Sequence, residues 1–396
     1  MNNTTTGNAL NAPRIQSIDI LRGLVIVLMI LDHVRDYFHS DAFLFNPTDP
    51  AVTSIPLFAT RWITHLCAPI FIWLTGISAF MYFKKKGSAQ TFSFLLIRGI
   101  LLIILEFTMI RFGWQFKFDL SSIPFLVISA IGFSMIILGV LQFIDRKYIL
   151  ISGIILIAGH NFLDAFNYGN EGWTALAWHI LHQYGNVALS PDFNIFVLYP
   201  VLPMIGLICL GFGMGSLFTD ETKEERSHLL KRLSLFLLLA FMCLRLLNEY
   251  GDPSQWVRNE YVYRGVFSFL NVTKYPMSLD YILITMSIAF YLIPYIEKNT
   301  GRITNVLHVF GKTSLFIYIV HIYVVHLLAL ILAMIKMRSV TAVWHSSDWM
   351  ILGKEYGYSL IIVYVIWAFV LAGLYPLSKK YSEIKAKYPD SLLKYI

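Results

Sequence analysis

The chain alternates long apolar stretches with short polar connections. A window of about 20 residues, the length that crosses a hydrocarbon core as a helix, finds about ten such stretches. They lie near residues 18–38, 62–83, 94–112, 122–144, 148–168, 194–218, 229–249, 278–296, 311–335 and 357–378. This pattern predicts an all-α, polytopic membrane protein with about ten transmembrane helices.

Composition supports a membrane protein. Hydrophobic residues make up 57% of the 396 residues and charged residues only 14%, too little charge to cover a soluble surface. The net charge of +7 is spread over short loops without an aromatic-rich basic patch, which argues against nucleic-acid binding. Cys67, Cys209 and Cys243 each lie in an apolar segment, so we expect packed thiols rather than disulfides.

Charge in the connections predicts the orientation. Lysine and arginine collect in alternate loops, such as residues 84–86 and 146–147, and in the C-terminal tail, so both termini are expected in the cytosol. We expect a disordered tail over residues 1–13, one transmembrane domain over 14–380 and a cytosolic tail over 381–396. The segments 39–61, 167–193, 250–277 and 336–356 then face outward.

The first apolar stretch carries a stripe of ionisable side chains. On a helical wheel one face holds Asp19, Arg22, Gly23, Ile26, Ile30 and His33, and an adjoining face holds Asp32, Arg35, Asp36 and His39. From Arg22 to His33 the helix rises roughly 16 Å. A charge in hydrocarbon costs about 2.5–3.5 kcal/mol, so the stripe should face protein or water. The alternative is snorkelling of Arg22 with a salt-bridge cluster at the helix end, without chemistry.

Histidines on the outer side indicate proton-transfer chemistry. Imidazole has the near-neutral pKa that suits a general base, and a carboxylate such as Asp36 can orient it. Further histidines, including His65 and His321, lie in other apolar spans. The sequence has no His-Glu-x-x-His motif, Gly-x-Ser-x-Gly elbow, Walker motif or dinucleotide fingerprint, so no metal, nucleotide or redox site is expected.

Four ordered sequence blocks resemble one family of transmembrane acyltransferases. They are Ser-Ile-Asp-Ile-Leu-Arg-Gly at 17–23, Ala-Pro-Ile-Phe-Ile-Trp-Leu-Thr-Gly at 68–76, Tyr-Pro-Val-Leu-Pro-Met-Ile-Gly at 199–206 and Gly-Lys-Thr-Ser-Leu-Phe-Ile-Tyr-Ile-Val-His at 311–321. Together they resemble the heparan-alpha-glucosaminide N-acetyltransferase family, without its large lumenal domain. The resemblance implies that residues 14–380 form a transmembrane acyltransferase domain, in a bacterial cytoplasmic membrane. The resemblance implies transfer of an acetyl group from cytosolic acetyl-CoA to an amino group across the membrane, directly or through an acetyl-histidine.

The resemblance also implies roles for individual residues. His39 is the closest match to the family's catalytic histidine, while His33 stands in place of an asparagine and His65 in place of an aspartate. We therefore predict His39 as general base or acyl carrier, His33 and His65 as its partners and Asp36 as its orienter. The predicted contacts to acyl-CoA are Arg22, Asp19, Arg98 and His321.

The predicted function is acyl transfer from acetyl-CoA or another acyl-CoA to an amine or hydroxyl of an extracytoplasmic sugar or glycolipid. The family's habit implies a homodimer. Two other classes stay open. A transporter would line a substrate or proton path with the same stripe and would require an ion gradient. A membrane scaffold or sensor would tolerate replacement of His33 and His39.

Overall fold

The computed structural model describes residues 15–299, 301–338, 356–388 and 391–395. It is about 74% helical. The predicted N-terminal tail over residues 1–13 and most of the predicted outer segment 336–356 lie outside the described residues. The predicted C-terminal tail is partly helical, because the last long helix continues to Lys387.

Helices form most of the described chain. Helices α1 to α8 are Gln16–Phe38, Ile55–Ile63, Cys67–Lys86, Ser88–Leu105, Arg111–Gln115, Val127–Leu141, Arg146–Gly159 and Gly172–Leu181. Helices α9 to α16 are Leu202–Met214, Ser216–Thr219, Lys223–Leu247, Val262–Leu270, Leu279–Lys298, Arg302–Lys312, Ser314–Met337 and Leu360–Lys387. Shorter 3-10 turns occupy Thr64–Leu66, His160–Ala165 and Leu392–Tyr395, and a π-helical turn occupies Glu106–Ile110.

A small sheet accompanies the helices. Its strands are β1 (Ser122–Phe125), β2 (Gly185–Ser190) and β3 (Phe193–Val197), in the order β1-β3-β2. Strand β3 pairs parallel to β1 and antiparallel to β2. The apolar stretches at 122–144 and 194–218 therefore start in strands rather than in helices, since a short apolar run does not by itself distinguish the two.

The polytopic all-α class is confirmed. Within the described ranges, seven helical segments are long and apolar enough to cross a membrane: Ile55–Lys86, Ser88–Gln115, Arg146–Ala165, Leu202–Thr219, Leu279–Lys298, Ser314–Met337 and Leu360–Lys387. The remaining predicted stretches coincide with α1, α6 and α11. Helix α6 has only 15 residues, and α1 and α11 are longer but carry several charged side chains.

Helix α1 is enclosed by other helices. It packs against α3, α13, α14, α15 and α16. Its closest approach is to α14, where a Cβ on Gly23 would lie 1.8 Å from the carbonyl oxygen of Leu307. A Cβ on Gly311 would lie 1.8 Å from the carbonyl oxygen of Asp19. Two glycines thus let the backbones touch, and the ionisable residues of α1 are surrounded by protein.

Candidate active site

A cavity of about 90 Å³ lies between α1, α3, α4, α6 and α15. Apolar side chains form much of its wall, and the ionisable groups at the wall come from six different parts of the chain. The polar and ionisable lining residues are Asp32, His33, Thr64, Cys67, Thr75, Arg98, Tyr199, Lys274, Ser314 and Tyr318. A mostly apolar pocket with a few convergent polar groups is the usual form of a small-molecule site.

His33 is held in this cavity by a second imidazole. Its Nδ1 lies 2.7 Å from Nε2 of His321, and the two ring planes are within 13° of parallel with centroids 4.9 Å apart. The Nδ1 of His321 lies 2.8 Å from the carbonyl oxygen of Ile317, which can only accept a hydrogen bond. In the neutral pair His321 therefore donates from Nδ1 and accepts at Nε2, and His33 donates from its Nδ1. The lone pair of the His33 imidazole is then on Nε2.

Asp32 anchors a group of cations next to His33. Its Oδ1 accepts a hydrogen bond from Arg35 at 2.9 Å, and its Oδ2 accepts one from Arg61. The ammonium of Lys274 lies 3.9 Å from the same Oδ2. Asp32 is 8% exposed, so its charge is compensated by these cations rather than by bulk water. The cluster gives the cavity a polar end.

Arg98 contributes a second polar region. It lies about 15 Å along α4 from the helix start at Ser88. Its Nε is buried without a hydrogen-bond partner, and its guanidinium lies 5.8 Å from the centre of the Phe94 ring. Over the part of the chain that the structure describes, no carboxylate forms an ion pair with Arg98. The guanidinium of Arg22 is close enough to repel it.

The predicted base His39 lies away from this cavity. Its Nδ1 accepts a hydrogen bond from the backbone N–H of Asp41 at 3.1 Å, and its backbone forms a bridge with Tyr358. The side chain is 7% exposed, and this burial lowers the pKa of the imidazole while Asp41 opposes the shift. Asp36, its predicted orienter, pairs with Arg35 at 2.6 Å. In the described part of the chain, no hydrogen bond or ion pair joins Asp36 to the His39 side chain.

The other predicted residues divide between cavity and packing. His65 places its Nδ1 3.0 Å from the carbonyl oxygen of Trp62 and its ring against Tyr281, outside the cavity lining. Arg22 donates to Asp19 and to the hydroxyl of Ser78, both at 2.8 Å. The cavity thus contains His33 and Arg98 from the predicted set, with His321 directly behind His33.

Ile26 and Ile30, from the predicted stripe of α1, are fully buried in the packed core. The cavity face of α1 is instead Val25, Met29, Asp32 and His33.

Sequence reasoning missed Lys274, Arg61, Tyr199 and Tyr318 as parts of this region. Each reaches the cavity or its charge cluster through contacts between segments far apart in the chain, and such contacts leave no local pattern. One available signal was the position of Lys274 in the predicted outer segment 250–277, which contains no other lysine. The His, Cys, Asp and Glu side chains of the described ranges contain no group of three close enough to hold a metal ion.

Comparison with known proteins adds a family assignment to this geometry. A family model described as heparan-alpha-glucosaminide N-acetyltransferase, catalytic, matches residues 14–250, more than half of the chain. The comparison with curated proteins gives no match. The matched range contains Asp32, His33 and Arg98, whereas Lys274, Tyr318 and His321 lie beyond it.

Proposed function

The chain belongs to the heparan-alpha-glucosaminide N-acetyltransferase family, and on that premise we propose that it transfers an acetyl or other short acyl group from cytosolic acyl-CoA to an amine or hydroxyl of an extracytoplasmic sugar or glycolipid. The coarser assignment, an integral membrane acetyltransferase, follows from the family and from the apolar helices. The observation that carries the finer proposal is the cavity that holds the His33 imidazole within the helix bundle.

His33 acts as the base in this proposal. Its Nε2 takes the proton of the acceptor as the acceptor nitrogen or oxygen attacks the thioester carbonyl carbon. The carbon–sulfur bond then breaks, and the imidazolium returns the proton to the departing thiolate. Attack by Nε2 itself would give an acyl-histidine first, and both routes use the same lone pair. His321 is a positioning residue, because it fixes the tautomer that leaves Nε2 unprotonated.

Arg98 is the proposed contact for an anionic or polar part of the CoA arm. A guanidinium without a carboxylate partner at membrane depth is costly, and a phosphate or pantetheine carbonyl would offset that cost. Arg22 adds a second guanidinium nearby. We expect Arg98→Met to raise the KM for acyl-CoA, with a smaller effect on kcat, and Arg98→Lys to fall between Arg98→Met and the wild type.

The decisive assay measures label transfer by purified protein from radiolabelled acetyl-CoA, with and without glucosamine-type acceptors. His33→Ala is expected to lose about 10²–10⁴-fold in rate while it still binds acyl-CoA, since general-base catalysis has that magnitude. His39→Ala and His65→Ala are the matched imidazole controls, and we expect each to stay at least about tenfold faster than His33→Ala. Full activity of His33→Ala would overturn the site, and no acyl-CoA binding by the wild type would overturn the function.

A further inference from the structure

Lys274 brings a positive charge to the cavity wall that already holds His33. We propose that the Lys274 ammonium stabilises the oxyanion that forms on the acyl carbon during transfer. This inference rests on the proposed acyl transfer, and it assigns a catalytic role to a residue outside the family match.

The contacts of Lys274 leave its ammonium available to a ligand. Its Nζ lies 3.9 Å from Oδ2 of Asp32, beyond hydrogen-bond distance, and 5.3 Å from the centre of the Tyr275 ring. Among the described residues, no acceptor forms a hydrogen bond with this ammonium. The side chain is 9% exposed, and the residue lines the cavity together with Thr64 and Tyr199. Lys274 thus borders enclosed space, and little of its side chain reaches bulk solvent.

The loop that carries Lys274 is held in place by a carboxylate. Asp252 accepts hydrogen bonds from the backbone N–H of Thr273 at 2.7 Å and from the hydroxyl of Ser278 at 2.6 Å. Arg245 donates to the carbonyl oxygen of Asn271 at 3.1 Å. A charge fixed before the reaction stabilises a developing oxyanion without reorganisation, which is the arrangement that gives large catalytic effects.

The neighbouring cations are already engaged. Arg35 donates to both Asp32 and Asp36, and Arg61 donates to Asp32. Neither guanidinium lines the cavity. Arg98 does line it, and the proposed function assigns Arg98 to the CoA arm. Lys274 is therefore the cation that combines a place at the wall with freedom from direct hydrogen bonding in the described ranges.

Lys274 takes no part in proton transfer during the proposed reaction. As the acceptor attacks, the carbonyl π electrons move onto oxygen and the ammonium lies against that oxyanion. When the carbonyl re-forms, the carbon–sulfur bond breaks and the thiolate takes the acceptor's proton from His33. Lys274 keeps all its protons throughout, so its role is electrostatic.

The test is steady-state transfer of radiolabelled acetyl from acetyl-CoA by full-length Lys274→Met, Lys274→Gln and Lys274→Arg variants, each checked for thermal unfolding and acetyl-CoA binding. Loss of one oxyanion donor costs about 10²–10³-fold in kcat. We expect that loss in Lys274→Met and Lys274→Gln, a smaller loss in Lys274→Arg, and little change in KM or in acetyl-CoA binding. Added ethylammonium should restore part of the kcat of Lys274→Gln.

The control is Lys147→Met, which removes an exposed lysine in α7 that does not line the cavity and should leave kcat unchanged. Near wild-type kcat in folded Lys274→Gln would overturn the role of Lys274. A second result would also overturn it: all three variants lose kcat only in proportion to their loss of folded protein, and ethylammonium restores none of it. Lys274 would then have a structural role, as a partner of Asp32. If the wild type transfers no acetyl at all, the proposed function fails instead.

Discussion

Three histidines of this protein differ in the partner at Nδ1 and in their place relative to the cavity. The Nδ1 of His33 faces another imidazole, that of His39 accepts from a backbone N–H, and that of His65 lies against carbonyl oxygens. His33 and His65 both donate from Nδ1 and keep their lone pair on Nε2, but of these three histidines only His33 lines the cavity. The residue type therefore predicted the chemistry, but the choice among imidazoles depends on partners that are distant in sequence, such as His321.

The pairing of His33 with His321 gives a prediction about tautomer control. Phenylalanine at 321 removes the acceptor for the His33 N–H, whereas glutamine at 321 keeps a side-chain oxygen that can accept it. We expect His321→Phe to lower kcat at least about tenfold, with KM for acyl-CoA little changed, because the base is mispositioned rather than removed. His321→Gln should retain more activity than His321→Phe. Equal kcat in both variants and the wild type would contradict the positioning role.

His39 gives a prediction about pH and stability. Burial lowers the pKa of folded His39, while in the unfolded chain the imidazole titrates near its ordinary value of about 6.5. The unfolded state then binds more protons as the pH falls through this range, so His39 contributes stability that is present above about pH 6.5 and lost below it. The thermal unfolding temperature should fall from about pH 7 to about pH 5, less steeply in His39→Gln. Identical slopes would contradict this.

The charge cluster shows what sequence could not predict at this scale. Asp32, Arg35 and Asp36 lie within one turn of helix, and their proximity was visible as a helical face. Arg61 joins the cluster from α2, and Lys274 joins it from the connection between α12 and α13. No periodicity relates these positions, because the tertiary packing of α1 against other elements brings them together.

At the scale of helices, apolar windows located the elements well and their ends less well. Each predicted stretch overlaps a helix, because about 20 apolar residues in a membrane protein have few alternatives to helical hydrogen bonding. The windows missed β1 and β3, since Ser122–Phe125 and Phe193–Val197 adjoin apolar helices without a polar break. They also missed the amphipathic α14, Arg302–Lys312, whose charges lower the average of any long window.

The contact between α1 and α14 gives a prediction about the element that carries the site. A methyl group at Gly23 would overlap the backbone of α14 at Leu307, and backbone cannot yield as a flexible side chain can. We expect Gly23→Ala to cost about 1–3 kcal/mol of stability, the usual range for overpacking, and to reduce transfer by displacing α1. Thermal unfolding in detergent, with label transfer measured in parallel, checks both effects.

Gly373→Ala is the matched control, since a Cβ at Gly373 in α16 meets no atom within 4 Å. That variant should keep the wild-type unfolding temperature and activity. A Gly23→Ala protein as stable and as active as Gly373→Ala would show that α1 does not depend on this close approach.

At the scale of the whole molecule, composition alone predicted the membrane class, and four ordered blocks predicted the family. The membrane class depends on average composition and the family depends on short motifs, and both can be read from the sequence without knowledge of how the helices pack. The cavity could not be predicted in the same way, because α1, α3, α4, α6, α15 and two connecting segments enclose it together. The wheel of α1 therefore identified the helix that bears the site, while the face that lines the cavity emerged only from the assembled bundle.

The orientation of the chain and the route of the acyl group remain predictions at this scale. Both concern the two sides of the membrane, so one experiment with sealed vesicles addresses them together. Purified protein is reconstituted into liposomes that contain a glucosamine-type acceptor. The fraction of protein molecules whose predicted cytosolic loops face outward is measured by protease cleavage of those loops. Radiolabelled acetyl-CoA is then added outside, with ionophores to remove every ion gradient.

The proposed function requires that the bundle carry an acyl group from a thioester on one side to an acceptor on the other, by way of His33. It predicts labelled acceptor inside the vesicles without any gradient, and none with His33→Ala protein reconstituted to the same level. Labelled product only when acceptor and acetyl-CoA share one compartment, or acceptor movement that requires an ion gradient and no acetyl-CoA, would contradict it.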